Sequence, residues 1–329
     1  MISINCVPMD NLACGHYRIK NIADLLYGEY KVTISPPGSF HYYGQDYIFT
    51  QRVCGSKNIE TLMNIKQQTG VKFIVDYDDD VWNPLPKYNF TNIDWQDNQK
   101  SMKAHLNDLA DIVICTTESL KNTLSDYVDS HKIHVIPNCL PRFKWNFPKI
   151  APPQTESILY AGSPTHFSNP NHMYGDFTNE WDKFLQNKEV NIMGVSPWFI
   201  KPKNTYGWVN MMDYAHNFYI IAAQNKYVIA PLANNFFNCC KSDLKYLECC
   251  AVGRVCLCSD FDNSPYHYAH DLQKIPVNAT AKQIQYAMDR CNEHYQEIID
   301  YQYEYLNRRW LENCLDKYKE IFDKPRVKI

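Results

Sequence analysis

Residues 229–260 read IAPLANNFFNCCKSDLKYLECCAVGRVCLCSD, and this stretch decides the fold. The pattern predicts an apolar strand over Tyr227–Leu232, a polar loop, a helix opening at Lys241 and Ser242, and a second strand over Val255–Ser259 after Gly253. Such a β-loop-α-β unit gathers its polar groups beyond the carboxyl ends of parallel strands, where open sheets bind ligands. Ser242 is a suitable N-cap, and Leu244, Leu247 and Ala251 form an i, i+3, i+7 stripe that faces a sheet. Lys241, Lys245 and Glu248 recur at i, i+4, i+7 and make a second stripe about 100° round from the first. Free N–H groups, the positive end of the helix dipole and the lysines suit a phosphate. A carboxylate one or two turns further in suits ribose hydroxyls. An ordinary amphipathic helix with a surface Lys245–Glu248 pair, worth about 0.3 kcal/mol, accounts for the same residues.

The segment FNCCKSDLKYLECCAVG (residues 237–253) resembles the donor-binding motif of the retaining GT-B glycosyltransferases, the large nucleotide-sugar-dependent (group 1) family. Within it the chain looks most like a bacterial and phage-type branch with Lys-Ser in the loop and Lys-Tyr-Leu-Glu on the helix. The resemblance implies Glu248 on the donor ribose and Lys241 and Ser242 at the diphosphate, with Lys245 among the donor contacts. It also implies a nucleotide-diphosphate sugar as donor, UDP-sugar first, and transfer to an acceptor hydroxyl with retention. No metal and no further cofactor is implied. One position departs from the pattern: the usual motif has a second Glu eight residues earlier, where this chain has Cys240. The carboxylate that often grips the sugar is missing.

Short apolar strands alternate with helical patterns in two runs, which argues for an α/β architecture of doubly wound parallel sheets. The first run takes Ser3–Val7, Lys31–Ser35, Tyr47–Arg52, Lys72–Tyr77, Asp111–Thr116 and His134–Pro137 as strands. A Pro-rich segment without apolar periodicity, PRFKWNFPKIAPPQTES, follows as a linker. The second run takes Ile158–Ala161, Val190–Val195, Tyr206–Val209, Tyr227–Ala230, Val255–Ser259 and Lys274–Val277. Residues 1–145 are then an acceptor-side Rossmann-like domain, 146–156 the linker and 157–290 the nucleotide-sugar domain. Residues 281–322 read as almost continuously helical. In the resembled family the last helices, here within 291–329, cross back to the amino-terminal domain; a helical appendage for oligomerisation is the alternative.

The 329 residues suffice for two domains with substantial cores, and the net charge of −3 supplies no general basic field for a nucleic acid. No apolar run approaches a membrane span and the start MISINCVPMDN has no charged leader pattern, so a cytoplasmic protein is expected, in the host if phage-encoded. Thirteen cysteines, several inside apolar strands, read as reduced buried thiols. Cys239, Cys240, Cys249 and Cys250 lack the C-x2-C spacing of a zinc site.

Other groups gain meaning from a cleft between two such domains. The loop after the first strand, DNLACGHYR, holds Gly15, His16, Tyr17 and Arg18. A Gly admits a close ligand and an Arg pairs with phosphate, although the turn also simply joins strand to helix. The family carries a glycine loop here against the diphosphate, which assigns Gly15, His16 and Tyr17 to donor binding and Arg18, with Lys241, to stabilising the leaving group. At the first strand of the second domain, YAGSPTH places Gly162, Ser163 and Thr165 near phosphate and gives His166 a role as donor to the sugar or diphosphate. The acidic run Asp76–Asp80 invites a cation, but acids also end strands and cap turns. Asp78, Asp79 and Asp80 are therefore expected on the acceptor side or at the hinge.

Resemblance to phage-encoded members points first to a hydroxylated or hydroxymethylated base of viral DNA as acceptor. A DNA acceptor needs Lys144, Lys149, Lys201, Lys203, Arg308, Arg309, Lys324, Arg326 and Lys328 to converge into a groove. A cell-surface polysaccharide or lipid-linked sugar is the rival. A nucleotide-sugar epimerase or a non-catalytic carbohydrate- or nucleic-acid-binding protein are readings of another class.

Overall fold

The computed structural model describes residues 1–53, 55–89, 96–167 and 174–323. Twelve strands among them form two six-stranded sheets, every pair parallel. The first contains β1 (Ser3–Val7), β2 (Lys31–Ile34), β3 (Tyr47–Gln51), β4 (Lys72–Tyr77), β5 (Ile112–Cys115) and β6 (Ile133–Val135), in the order β2-β1-β3-β4-β5-β6. The second contains β7 (Ile158–Gly162), β8 (Val190–Gly194), β9 (Asn204–Thr205), β10 (Tyr227–Ala230), β11 (Val255–Asp260) and β12 (Lys274–Pro276), in the order β12-β11-β10-β7-β8-β9. Central strands such as SINCV and YIFTQ are buried from end to end, because helices cover both faces of each sheet.

Each strand order reverses once, and the reversal places the site. In the first sheet the switch lies between β1 and β3; in the second it lies between β7 and β10. At a switch point the two connections leave in opposite directions and open a crevice beyond the strand ends. The residues that follow β1, β3, β7 and β10 are thus the ones placed to meet a ligand.

Three local expectations give way. The strand expected over Tyr206–Val209 is instead the two-residue β9, since Gly207 takes a positive φ of 48° and turns the chain away. The continuous tail divides into helices Ala281–Glu293, Tyr295–Asn307 and Leu311–Phe322. The helix after β10 runs Leu244–Val252 and does not start at Lys241. A short helix, Phe236–Cys239, capped by the Asn235 side chain, occupies the loop before it. Asp243 stands at the N-cap without capping, because Tyr305 and Arg309 donate to its carboxylate at 2.5–2.9 Å.

The tail binds the domains together. Arg309 also donates to the Asn138 carbonyl, and Leu140 exchanges backbone hydrogen bonds with Arg309 and Leu311. Leu311, Leu315, Tyr318 and Phe322 then complete an apolar cluster with Ile4, Ile22, Phe49 and Ile74. The last helix thereby closes one face of the amino-terminal sheet, and the fold is α/β with two Rossmann-like domains facing across a cleft.

Candidate functional site

Contacts across the cleft join the segments after β7 and β10 to several strand ends of the amino-terminal sheet, only one of them at its switch point. Tyr17, after β1, donates its hydroxyl to Glu248 Oε1 at 2.8 Å. Lys241 lies 3.5 Å from Asp79 after β4, and Thr117 after β5 donates to the Cys240 carbonyl at 3.0 Å. Asn138 Nδ2 donates to Ser242 Oγ at 2.7 Å, and the Tyr88 hydroxyl donates to Asp176 at 2.5 Å.

Glu248 is the centre of one cluster. Only 2% exposed, it accepts from Tyr17 on one oxygen and from Lys245 (2.7 Å) and Tyr214 (3.2 Å) on the other. Burial alone would lower the Lys245 ammonium, but Glu248 and Tyr214 beside it hold it above its ordinary range. Burial, and then Glu248, push the Tyr17 phenol well up, so it stays a donor. Helical spacing brings Lys245 and Glu248 together. Their shared burial makes this pair something other than a surface ion pair.

Lys241 and Ser242 sit in the bend before the helix, and both are part-buried. Lys241 rests over the Phe237 ring at 4.5 Å, with its ammonium toward Asp79. Cys240 is 1% exposed and packs into the apolar cluster of the amino-terminal domain, with its sulfur 3.7 Å from Thr123 Oγ1. In place of a carboxylate for a sugar, this position supplies an apolar contact across the cleft.

Beyond β7, Ser163 and Thr165 share a hydrogen bond of 2.6 Å, and His166 Nδ1 lies 2.6 Å from Asp176. Burial works to raise Asp176, yet hydrogen bonds from His166, Tyr88 and the Ala233 N–H hold it below the usual carboxylate range. Gly162 has a reason inside its own strand: a Cβ there would meet the Tyr160 hydroxyl at 2.3 Å.

The loop after β1 behaves differently from its reading as a diphosphate cradle. Arg18 is 1% exposed, and its guanidinium is spent on Asp76 (2.6–3.2 Å), the Ile136 carbonyl (3.0 Å) and Asn138 Oδ1 (3.1 Å). It is therefore removed from the candidate catalytic groups, for no phosphate reaches it without breaking a buried pair. Its influence on the bend before the helix passes through Asn138, which it fixes and which holds Ser242. Gly15 is required by its own turn, where a Cβ would stand 2.1 Å from the Asp10 carbonyl. His16 opens a π-helical turn, His16–Lys20, and lines a narrow crevice with Lys144, Trp145 and Tyr214. Burial, then Lys20 and Lys144, lower its imidazole to about 4.

The acidic run is likewise partnered from within. Arg52, the first residue after β3 and held at a positive φ of 45°, grips Asp78 at 2.6 Å and Asp79 at 2.7 Å. Asp80 accepts from the Trp82 and Asn83 backbone and the Asn83 amide. Of the three acids expected on the acceptor side, Asp78 and Asp80 are buried and Asp79 alone reaches across toward Lys241. Among the described residues no group of three or more acids, histidines or cysteines is arranged to hold a metal. None of the described helices is long and apolar enough to cross a membrane.

Arg52, Tyr88, Asp176, Tyr214 and Asn238 belong to this site without having been singled out in the sequence. Arg52 had a visible signal, a charged residue at a strand's carboxyl end. Asp176 had none, since its four partners come from three separate segments.

No protein-family profile matches the chain, and no curated protein matches it by sequence. Solved structures do match. A sucrose-phosphate synthase from Thermosynechococcus elongatus shares 13% identity over 98% of both chains, with a TM-score of 0.60. Anabaena HepE, solved in complex with UDP and glucose, shares 8% identity over 98% of this chain and 99% of that one, with a TM-score of 0.68. A glycosyltransferase from Rickettsia africae shares 12% identity over 100% of this chain and 99% of that one, with a TM-score of 0.65. At these identities the likeness is one of fold, and it is the GT-B fold along nearly the whole chain.

Proposed function

We propose that this chain is a glycosyltransferase that takes a sugar from a nucleotide-diphosphate sugar, a UDP-sugar first, and passes it to an acceptor hydroxyl with retention. The observation that carries the reading is the Glu248 cluster. A buried carboxylate, held by Lys245, Tyr214 and Tyr17, stands on the helix that follows the switch point of the carboxyl-terminal sheet. Lys241 and Ser242 lie at the amino-terminal approach to that helix. A carboxylate in that place accepts from vicinal ribose hydroxyls, and the cation and free backbone N–H groups next to it meet the diphosphate. The HepE structures in complex with UDP, UDP-glucose, and UDP and glucose support UDP as the first donor to try.

In this reading residues 157–290 bind the donor and residues 1–145 face the acceptor. Lys241 neutralises charge on the leaving diphosphate, a preorganised contribution of about 3 kcal/mol to the barrier. His166, Ser163 and Thr165 approach the phosphates from the β7 side. The departing phosphate takes the proton of the acceptor hydroxyl, so no second carboxylate is required.

The basic groove that a DNA base as acceptor calls for has little support. Arg309 is turned inward on Asp243, Lys203 pairs with Glu189, Lys149 lies over the Tyr303 ring and Lys144 donates to Asn21. Lys324, Arg326 and Lys328 lie outside the described residues. The acceptor class this reading takes is accordingly the hydroxyl of a polysaccharide or lipid-linked sugar. Incubation with a panel of radiolabelled nucleotide sugars, with glycan acceptors and with hydroxymethylated DNA in parallel, tests it. Transfer of label to glycan is the expected result. Transfer to DNA would replace the acceptor, an isomerised donor would make the protein an epimerase, and binding without turnover would make it a binding protein.

A further inference from the structure

We propose that Asp176 is a positioning residue for the donor diphosphate: it holds the His166 imidazole by Nδ1 and so presents Nε2 to the phosphate next to the sugar. The inference rests on the glycosyltransferase reading above.

Asp176 is 3% exposed and takes four hydrogen bonds. They come from His166 Nδ1 (2.6 Å), the Tyr88 hydroxyl (2.5 Å), Asn238 Nδ2 (2.6 Å) and the Ala233 N–H (3.1 Å). His166 belongs to the segment after β7, while Ala233 and Asn238 belong to the segment after β10. These two segments flank the switch point of the carboxyl-terminal sheet, and one carboxylate locks them together. Of its four donors only the imidazole can carry a positive charge.

Holding Nδ1 leaves Nε2 as the outward edge of the ring, and His166 keeps a quarter of its side-chain surface exposed. No partner for Nε2 occurs among the described residues. Residues 162–167, GSPTHF, contain neither Lys nor Arg, so His166 is the one group there that can offer a charged hydrogen bond to phosphate. The side-chain amide oxygen of Asn238, Oδ1, is buried with no partner among the described residues, as befits a group that awaits a ligand hydroxyl.

The chemistry needs no proton from His166. As the bond between the anomeric carbon and the terminal phosphate oxygen breaks, its electron pair stays on that oxygen. The acceptor oxygen bonds to the anomeric carbon, and its proton passes to the phosphate. Nε2–H donates a hydrogen bond throughout, and Asp176 keeps the ring turned to do so.

Calorimetric titration of the full chain with UDP and with uridine separates phosphate contacts from nucleoside contacts. GDP with guanosine and ADP with adenosine serve as further pairs. Asp176→Asn and His166→Gln are each expected to weaken diphosphate binding about tenfold while leaving the nucleoside unchanged. The double variant is expected to be no weaker than His166→Gln alone, since Asp176 acts through the ring. If the two losses multiply in the double variant, or Asp176→Asn weakens uridine as much as UDP, the inference is overturned. Imidazole 15N spectra of the unmutated protein give a readout that does not depend on a variant folding: the His166 Nε2 resonance is expected to move with UDP and not with uridine. An unmoved resonance, with UDP bound, overturns the inference alone. Failure of every diphosphate to bind overturns the glycosyltransferase reading with it.

Discussion

The two walls of the cleft carry similar charged side chains and use them in opposite ways. On the amino-terminal wall Arg18 closes on Asp76 and Arg52 on Asp78 and Asp79, with exposures of 1% and 11% for the two arginines. On the carboxyl-terminal wall Lys241, Lys245 and His166 stay 19–25% exposed along one side of the crevice. A cation closed on carboxylates of its own domain is part of the scaffold. A cation with donors to spare is available to a ligand, and that difference is why the proposed site is assigned to the carboxyl-terminal wall.

The comparison breaks most readily at Arg18. Arg18→Ala strands the Asp76 carboxylate in the core and is expected to cost about 3–5 kcal/mol of stability, read as a fall in the urea midpoint. A midpoint near that of the parent would show that the amino-terminal wall is not held by its pairs. Lys241→Ala is the counterpart: stability within about 0.5 kcal/mol of the parent and donor turnover down about a hundredfold. Glu248→Ala is expected to abolish donor turnover in a protein that still folds, and parent-like rates in either variant would remove the site assignment.

A smaller effect sharpens the boundary between the walls at His16. The unfolded chain takes up a proton on this residue near 6.5, whereas burial and then Lys20 and Lys144 delay uptake in the folded protein to about 4. Below 6.5 the unfolded state therefore binds the extra proton, and His16 withdraws stability as pH falls from about 6.5 to about 4. Urea midpoints at pH 7 and pH 4.5 are expected to differ less in His16→Gln than in the parent. An equal difference would mean that the imidazole is not buried against those lysines. The smallest effect is at the rim, where Lys203→Ala loses an exposed pair with Glu189 and is expected to move stability by less than about 1 kcal/mol.

The same contrast explains what could be read from the chain. Strands such as SINCV and YIFTQ announce themselves because parallel strands covered on both faces must be apolar throughout, and Leu244, Leu247 and Ala251 mark the helix after β10 by spacing alone. Glu248 and Lys245 follow from that helix, since the partner is one turn away. The errors are at long range. Arg18 beside a glycine looks like a phosphate ligand until Asp76, 58 residues on, takes its guanidinium. Ser242 looks like an N-cap, but the helix starts after Asp243, whose carboxylate is claimed by Arg309 from 66 residues away. Asp176 lies ten residues past His166 with no periodicity between them, and only the folded loops bring the pair together. Local periodicity is written in neighbours, whereas the partner of a charge is chosen by the fold.

The helix Leu311–Phe322 imposes an order on how this protein is made. Phe322 packs on Tyr30, Tyr47 and Phe49, so residues translated after the carboxyl-terminal sheet complete the hydrophobic core of the amino-terminal domain made before it. At roughly 5–20 residues per second, the ribosome needs on the order of 10–35 s to travel from the linker to that helix. Throughout that interval one face of the amino-terminal sheet has its own helix Asn21–Leu26 but lacks the apolar side chains of Leu311–Phe322 that complete its cover. The nascent domain keeps that apolar surface incompletely covered until the helix Leu311–Phe322 arrives, and release of a chain cut short before Leu311 leaves it open to aggregation.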